Sequence, residues 1–276
     1  MNTETRIGVL VKTSLVDFPG RVAAALFLGG CNLRCPYCYN TELVTGNALP
    51  EDAVSASQVL AHLEKRKNVL TGFVISGGEP LLSPVTEYLI TQARALGYKI
   101  KLDTNGTLPE RLSHLLQSPA LCPDFVALDV KTSPEKYGLC TSGGNAANAA
   151  NAVNAVNAAN AVNVANAANA VNAVNATNAV NVANATEKIE ESVRLVSALP
   201  ADRREFRTVL VPPLITEADV ERIARMLPAD AAWKFAAFKP GGCIDPSYDE
   251  ISPFLDSETA ALIAKARTII PGAELR

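Results

Sequence analysis

Histidine is scarce in this chain of 276 residues: there are two, His62 and His114. Both fall inside helix patterns, which suits surface or packing positions, and no Ser-His-Asp set or phosphate-binding glycine loop is visible. Excess charge of one sign is missing too. The formal net charge is −3, too small to argue for nucleic acid or an anionic membrane as partner. No apolar run reaches the ~20 residues of a membrane span, and no N-terminal stretch reads as a secretory signal. The expectation is a cytoplasmic protein that binds neither membrane nor nucleic acid. Residues 145–186 lack charge altogether. From Asn145 to Asn184 an Asn recurs at every third position among Ala and Val. A period of three drifts around a helix of 3.6 residues per turn, so the tract has no apolar stripe to bury. It reads as a solvated, dispensable insert, disordered or an isolated helix. An ordered three-per-turn stack and a partner-binding arm are the alternatives. The hydrophobic fraction of 48% is inflated by this tract.

Cysteine, by contrast, is concentrated. Of six cysteines, Cys31, Cys35 and Cys38 stand in the spacing C-x-x-x-C-x-x-C, directly after the apolar run Val22 to Leu28. Three thiolates so close can converge on one metal centre, and iron–sulfur clusters are usually held by four. A zinc knuckle would want a fourth Cys or His, and none lies within twenty residues of Cys38. A three-ligand set leaves one iron of a [4Fe–4S] cube open, and open coordination positions are where chemistry happens. Chance clustering of buried thiols is the bland alternative. Cys122, Cys140 and Cys243 are scattered without a C-x-x-C pair and read as free thiols. Such usage suits a reducing compartment rather than a disulfide framework.

Strand and helix patterns alternate along the rest of the chain. Arg6 to Val11 and Val22 to Leu28 read as strands separated by the turn Asp17-Phe18-Pro19-Gly20. Gly72 to Ile75, Tyr98 to Leu102, Phe125 to Leu128, Phe206 to Val211 and Trp233 to Phe238 are further strands. Helices are expected after the Ser55/Gln58 capping box, after Ser83-Pro84 up to a stop at Gly97, around Glu110 to Gln117, and from Glu187 to Leu199. Two more are expected, from Thr216 with Asp219 as cap, and from Ser257 as cap to about Arg267. Such alternation argues for βα units around a parallel sheet. The polar motifs then stand at the carboxyl ends of strands, where parallel α/β architectures place their sites.

The cysteine loop carries an aromatic, Tyr37, just before its third cysteine. In this it resembles the radical S-adenosylmethionine (SAM) enzymes. With Lys12 to Arg21 ahead of the loop, the chain looks most like the glycyl-radical-enzyme activases, in particular activating proteins of anaerobic ribonucleotide reductase. Tyr39 departs from the His found in much of that group. The resemblance implies an incomplete (βα)6 barrel, an α/β domain formed by 1–144 and 187–276 with the low-complexity insert 145–186 between. It implies a [4Fe–4S] cluster on Cys31, Cys35 and Cys38, with SAM on the open iron. One electron, from a reductant such as flavodoxin or ferredoxin, would cleave SAM to a 5′-deoxyadenosyl radical that takes a hydrogen atom from a glycine of the partner enzyme. No catalytic side chain is expected beyond the cluster and SAM site.

Gly77-Gly78-Glu79-Pro80 matches the GGEP motif of that family and is expected to bind SAM; alone it would be a strand-end turn. Asp103 and Asp129 end neighbouring strands and read by themselves as solvated carboxylates. The resemblance turns them toward SAM, with a monovalent cation between them. Lys131 is then expected at the SAM carboxylate, with Arg207 as a weaker candidate, and Tyr37 near the adenine. Two other functions fit the motifs less fully: a radical SAM enzyme acting on a small molecule such as a modified-base precursor, and a non-enzymatic iron–sulfur protein.

Overall fold

A computed structural model describes residues 3–45, 49–141 and 182–276. Nine strands form one sheet in the order β3-β1-β2-β4-β5-β6-β7-β8-β9. They are β1 (Arg6–Ser14), β2 (Ala23–Leu28), β3 (Val54–Ser55), β4 (Gly72–Gly77), β5 (Lys99–Thr104), β6 (Phe125–Asp129), β7 (Arg204–Leu210), β8 (Trp233–Ala237) and β9 (Glu274–Leu275). From β2 onward every pairing is parallel, whereas β1 runs antiparallel to both β2 and β3. The six long parallel strands are the ones the apolar runs predict, and they build the incomplete barrel. β3 and β9 have two residues each, too few to show a period.

Among the described residues the helices are α1 (Thr41–Thr45), α2 (Ala56–Arg66), α3 (Val85–Ala95), α4 (Pro109–Gln117), α5 (Gly138–Thr141), α6 (Val182–Ser197), α7 (Glu217–Ala224) and α8 (Asp256–Arg267). Ser55 and Thr216 cap α2 and α7 with reciprocal side-chain bonds, as their sequences announce. Gly97 ends α3 at φ 89°, the left-handed conformation that glycine tolerates best. Ser257 is not a cap. It lies in the first turn of α8, and Leu255 N–H at the helix entrance is satisfied instead by Glu258 at 2.7 Å.

Most of the repeat tract, up to residue 181, lies outside the described residues. Its last residues belong to α6, which starts earlier than the stripe beginning at Ile189 suggests. Ala185 is fully buried, and the Thr186 hydroxyl donates to the Pro134 carbonyl at 3.2 Å.

The two faces of the sheet are unlike. Phe73, Ile75, Ile100, Leu102, Val126, Leu128, Phe206 and Phe235 point outward into the large core shared with the helices. The alternate residues point to the concave side. There Ala23, Ala25, Val74 and Phe18 form a small cluster with Phe27 and Phe125 packed on it. Charged side chains occupy the concave face of β5, β6 and β7.

Candidate active site

The carboxyl ends of β2 and β4 come together through backbone contacts that only glycine permits. A Cβ on Gly77 would stand 2.1 Å from the Leu28 nitrogen, and one on Gly78 would stand 2.0 Å from the Gly30 oxygen. Gly78 N–H donates to Leu28 O and Glu79 N–H to Gly30 O, both at 2.8 Å. The glycine pair of the GGEP turn therefore serves close approach to the neighbouring cysteine loop.

Glu79 is fully buried, and its carboxylate is consumed within the protein. It accepts from Leu81 N–H at 3.0 Å, the Thr104 hydroxyl at 2.9 Å and Asn105 N–H at 2.7 Å. Burial pushes this carboxyl up to about 7, and those donors oppose the shift. Its place is that of a bolt between the ends of β4 and β5.

The bolt leads to the cysteine loop through two asparagines that no motif announces. Asn105 Nδ2 donates to Asn32 Oδ1 at 3.0 Å and reaches Cys31 Sγ at 3.7 Å. Asn32 Nδ2 donates to the Thr107 hydroxyl at 2.7 Å. The one hint in the sequence was the Asn105-Gly106 turn at a strand end.

Cys35 is buried, and Cys31 and Cys38 are half-buried. Burial pushes Cys31 up to about 12, against the Leu33 amide that donates to its sulfur at 3.4 Å. Burial likewise raises Cys38, opposed by the Asn40 amide. Cys35 is held well above the ordinary range by the neighbouring Cys140 thiol and by burial. Arg34 N–H fastens this loop to the Cys140 carbonyl at 2.7 Å.

Thiols so placed stay protonated at neutral pH until a metal displaces the proton. Among the described residues no three His, Cys, Asp or Glu side chains stand ready around a single ion. Amide donors already aimed at two of the three sulfurs are what bound thiolates require. The Tyr37 hydroxyl is buried without a hydrogen-bond partner among the described residues, a polar atom left for something to satisfy. The donor set fits an iron–sulfur cluster.

Farther into the barrel Arg207 lies between the two aspartates that were expected to flank a cation. Arg207 Nη1 donates to Asp103 Oδ2 at 3.0 Å, and its Nε donates to Asp129 Oδ1 at 2.6 Å. Two carboxylates at close quarters need a positive charge between them, and a guanidinium supplies one here. Lys131 Nζ caps the free oxygen of Asp129 at 2.8 Å, and Lys101 Nζ caps that of Asp103 at 2.5 Å. Glu205, 3.7 Å from Lys101, completes a neutral set of three cations and three anions. Burial works against both aspartates, but Arg207 and the lysines more than offset it and hold both below the usual carboxylate range. Lys131 keeps 20% of its side chain exposed and can still meet a ligand. Tyr37 packs inward beside Cys35 and Cys140, and only its hydroxyl is unspent. His62, bonded to the Lys12 carbonyl, and His114, near Glu87, take no part in the site.

Similarity to known proteins agrees with this geometry. The model of the radical SAM superfamily matches residues 26–178. A Methanocaldococcus jannaschii protein provisionally named as a glycyl-radical enzyme activating enzyme is 33% identical over 129 residues, 46% of this chain and 51% of that one. A 7-carboxy-7-deazaguanine synthase of Methanopyrus kandleri is 33% identical over 135 residues, 41% of this chain and 51% of that one. The pyruvate formate-lyase-activating enzyme of Clostridium pasteurianum is 31% identical over 145 residues, 50% of this chain and 57% of that one. The chain thus spans about half the length of the curated relatives it matches. Among solved structures, QueE from Escherichia coli shares the fold with a TM-score of 0.51 at 12% identity, covering 99% of this chain and 93% of that one.

Proposed function

The chain belongs to the radical SAM superfamily, and on that premise we propose that it is an activase that installs a glycyl radical on a partner enzyme. The partner proposed is anaerobic ribonucleotide reductase. Cys31, Cys35 and Cys38 would hold the cluster, beside which SAM would bind. When bound, cluster and SAM supply one-electron cleavage of a C–S bond and hence a 5′-deoxyadenosyl radical. The protein's own part is placement. Glu79 and the glycine pair seat the β4 turn against the cysteine loop. Asp129, itself braced by Arg207, holds Lys131, whose partly exposed side chain suits the SAM carboxylate. The Asn32–Asn105 pair steadies the loop beside Cys31.

The observation that carries the activase reading is the stretch Lys12 to Arg21 before the cysteine loop, supported by similarity to two proteins named for such activation. The second reading, a small purine-like substrate, rests on the similarity to the 7-carboxy-7-deazaguanine synthase. One anaerobic experiment separates them. Reconstituted protein, a reductant such as reduced flavodoxin or ferredoxin, and SAM are mixed with a candidate glycyl-radical enzyme and examined by EPR. A glycine-centred radical on the partner is expected. SAM cleavage coupled to conversion of a purine-like heterocycle, with no partner radical, would establish the second reading instead.

A further inference from the structure

The two ends of the parallel array meet above the cysteine loop. β2 opens the array and β8 is its last long strand, so the loops leaving their carboxyl ends start on opposite sides of the open barrel. They are nevertheless bonded to each other. Ile244 N–H donates to the Cys38 carbonyl and Asp245 N–H to the Pro36 carbonyl, both at 3.0 Å. The Thr41 hydroxyl donates to the Gly242 carbonyl at 2.8 Å.

One carboxylate bends the second loop into this position. Asp249 Oδ1 accepts from Gly241 N–H at 2.9 Å and Cys243 N–H at 3.1 Å, and its Oδ2 accepts from Gly242 N–H at 3.2 Å. Gly241 and Gly242 have φ of 135° and 74°, conformations that other residues adopt at a cost. Successive amides turned to one side form an anion-binding concavity, and here the anion belongs to the chain itself. The segment then crosses the cysteine loop with Cys243 buried beneath it.

We propose that Asp249 is a positioning residue for the metal centre: by gathering the amides of 241–243 it clasps residues 241–245 over Cys38 and keeps water from the third ligand. The proposal rests on the radical SAM reading of the three cysteines. Solvent at a cluster sulfur changes the reduction potential and opens the metal to chelators. The clasp is built of backbone bonds alone on the cysteine-loop side, apart from Thr41. It can therefore be loosened without touching a ligand.

The test uses full-length D249A, D249N and T41V proteins. Asp249 is exposed, so water can satisfy the amides it releases, and the variants are expected to fold. Cluster-free protein is treated anaerobically with N-ethylmaleimide, and alkylation is followed cysteine by cysteine by mass spectrometry. D249A should modify Cys38 several-fold faster, D249N should fall between it and the parent because one carbonyl acceptor remains, and T41V should shift the Cys38 rate slightly in the same direction. Cys122 and Cys35 should be unchanged. Reconstituted D249A should also lose iron several-fold faster to a ferrous chelator, with its midpoint potential moved to more positive values.

Equal alkylation of Cys38 and equal iron loss in D249A and the parent would overturn the clasp and leave the activase reading standing. A parent protein that takes up no iron and sulfide through its three cysteines would overturn both.

Discussion

At the scale of single residues, the buried carboxylates respond to pH in opposite directions. Glu79 has its carboxyl raised to about 7 by burial, so between the ordinary carboxylate value and neutrality the folded state binds more protons than the unfolded one. Stability through this group is present at low pH and falls as pH rises across that window, by about 3 kcal/mol in order of magnitude. Asp103 and Asp129 are held low, and the stability they contribute is present above the ordinary carboxylate range and lost as pH falls through it. In E79Q the loss between about pH 4.5 and 7 should vanish relative to the parent, as read by urea denaturation at several pH values. A parallel pH profile in the two proteins would contradict the burial assigned to Glu79. Arg207 is the residue whose removal should cost most. R207M leaves Asp103 and Asp129 facing each other without their shared cation, and a loss of about 3–5 kcal/mol is expected for an orphaned buried charge. Recovery of part of that loss in R207M/D129N, measured by the same titration, would trace the effect to the unbalanced carboxylates. None of this was legible at Arg207 itself, because a cation in mid-strand shows no motif. Its meaning comes from register, which sets it beside Asp129.

At the scale of elements, the sequence announces interiors better than ends. The α2 and α7 caps were legible because Ser55/Gln58 and Thr216/Asp219 are local pairs three residues apart. The start of α8 was not, because Glu258 reaches back to a leucine amide that any residue could supply. The start of α6 was not either, since Ala185 carries no signal until it is seen packed in the core. That placement bears on the insert. A deletion joining Gly144 to Val182 should keep the cluster, uncoupled SAM cleavage and thermal midpoint near those of the parent, because loop closure grows only logarithmically with length. A deletion extended through Thr186 removes buried Ala185 and the Thr186–Pro134 bond, and should cost about 1–2 kcal/mol, read by thermal and urea unfolding. Equal stability of the two deletions would show that the first turn of α6 contributes nothing. Loss of partner activation alone, in the shorter deletion, would mark the tract as a docking arm.

At the scale of the molecule, the metal centre ties together parts of the chain that only the fold makes neighbours. The cysteine loop is bonded to α5 through Arg34, to β5 through Asn105 and to the loop after β8 through Cys38 and Pro36. Iron and sulfide uptake under reducing, anaerobic conditions should therefore raise the thermal midpoint of the whole domain, and chelation should reverse the gain. Replacing any of Cys31, Cys35 or Cys38 by Ala should abolish both the gain and SAM cleavage, whereas C122A should retain them. A C122A protein without the cluster's absorbance would refute the three-ligand set. What the sequence determined by itself was whatever depends on near neighbours along the chain: six buried strands, two reciprocal caps, a three-thiol loop and a row of polar motifs at strand ends. What only the tertiary structure decided was how those motifs spend their atoms. Glu79 became an internal bolt, the aspartates shared the guanidinium of Arg207, and a carboxylate near the far end of the chain drew a loop over Cys38. Each of these turns on a partner 25 to 209 residues away. Periodicity is a statement about neighbours, whereas charge balance and hydrogen-bond satisfaction are settled by whichever groups the fold brings within about 3 Å.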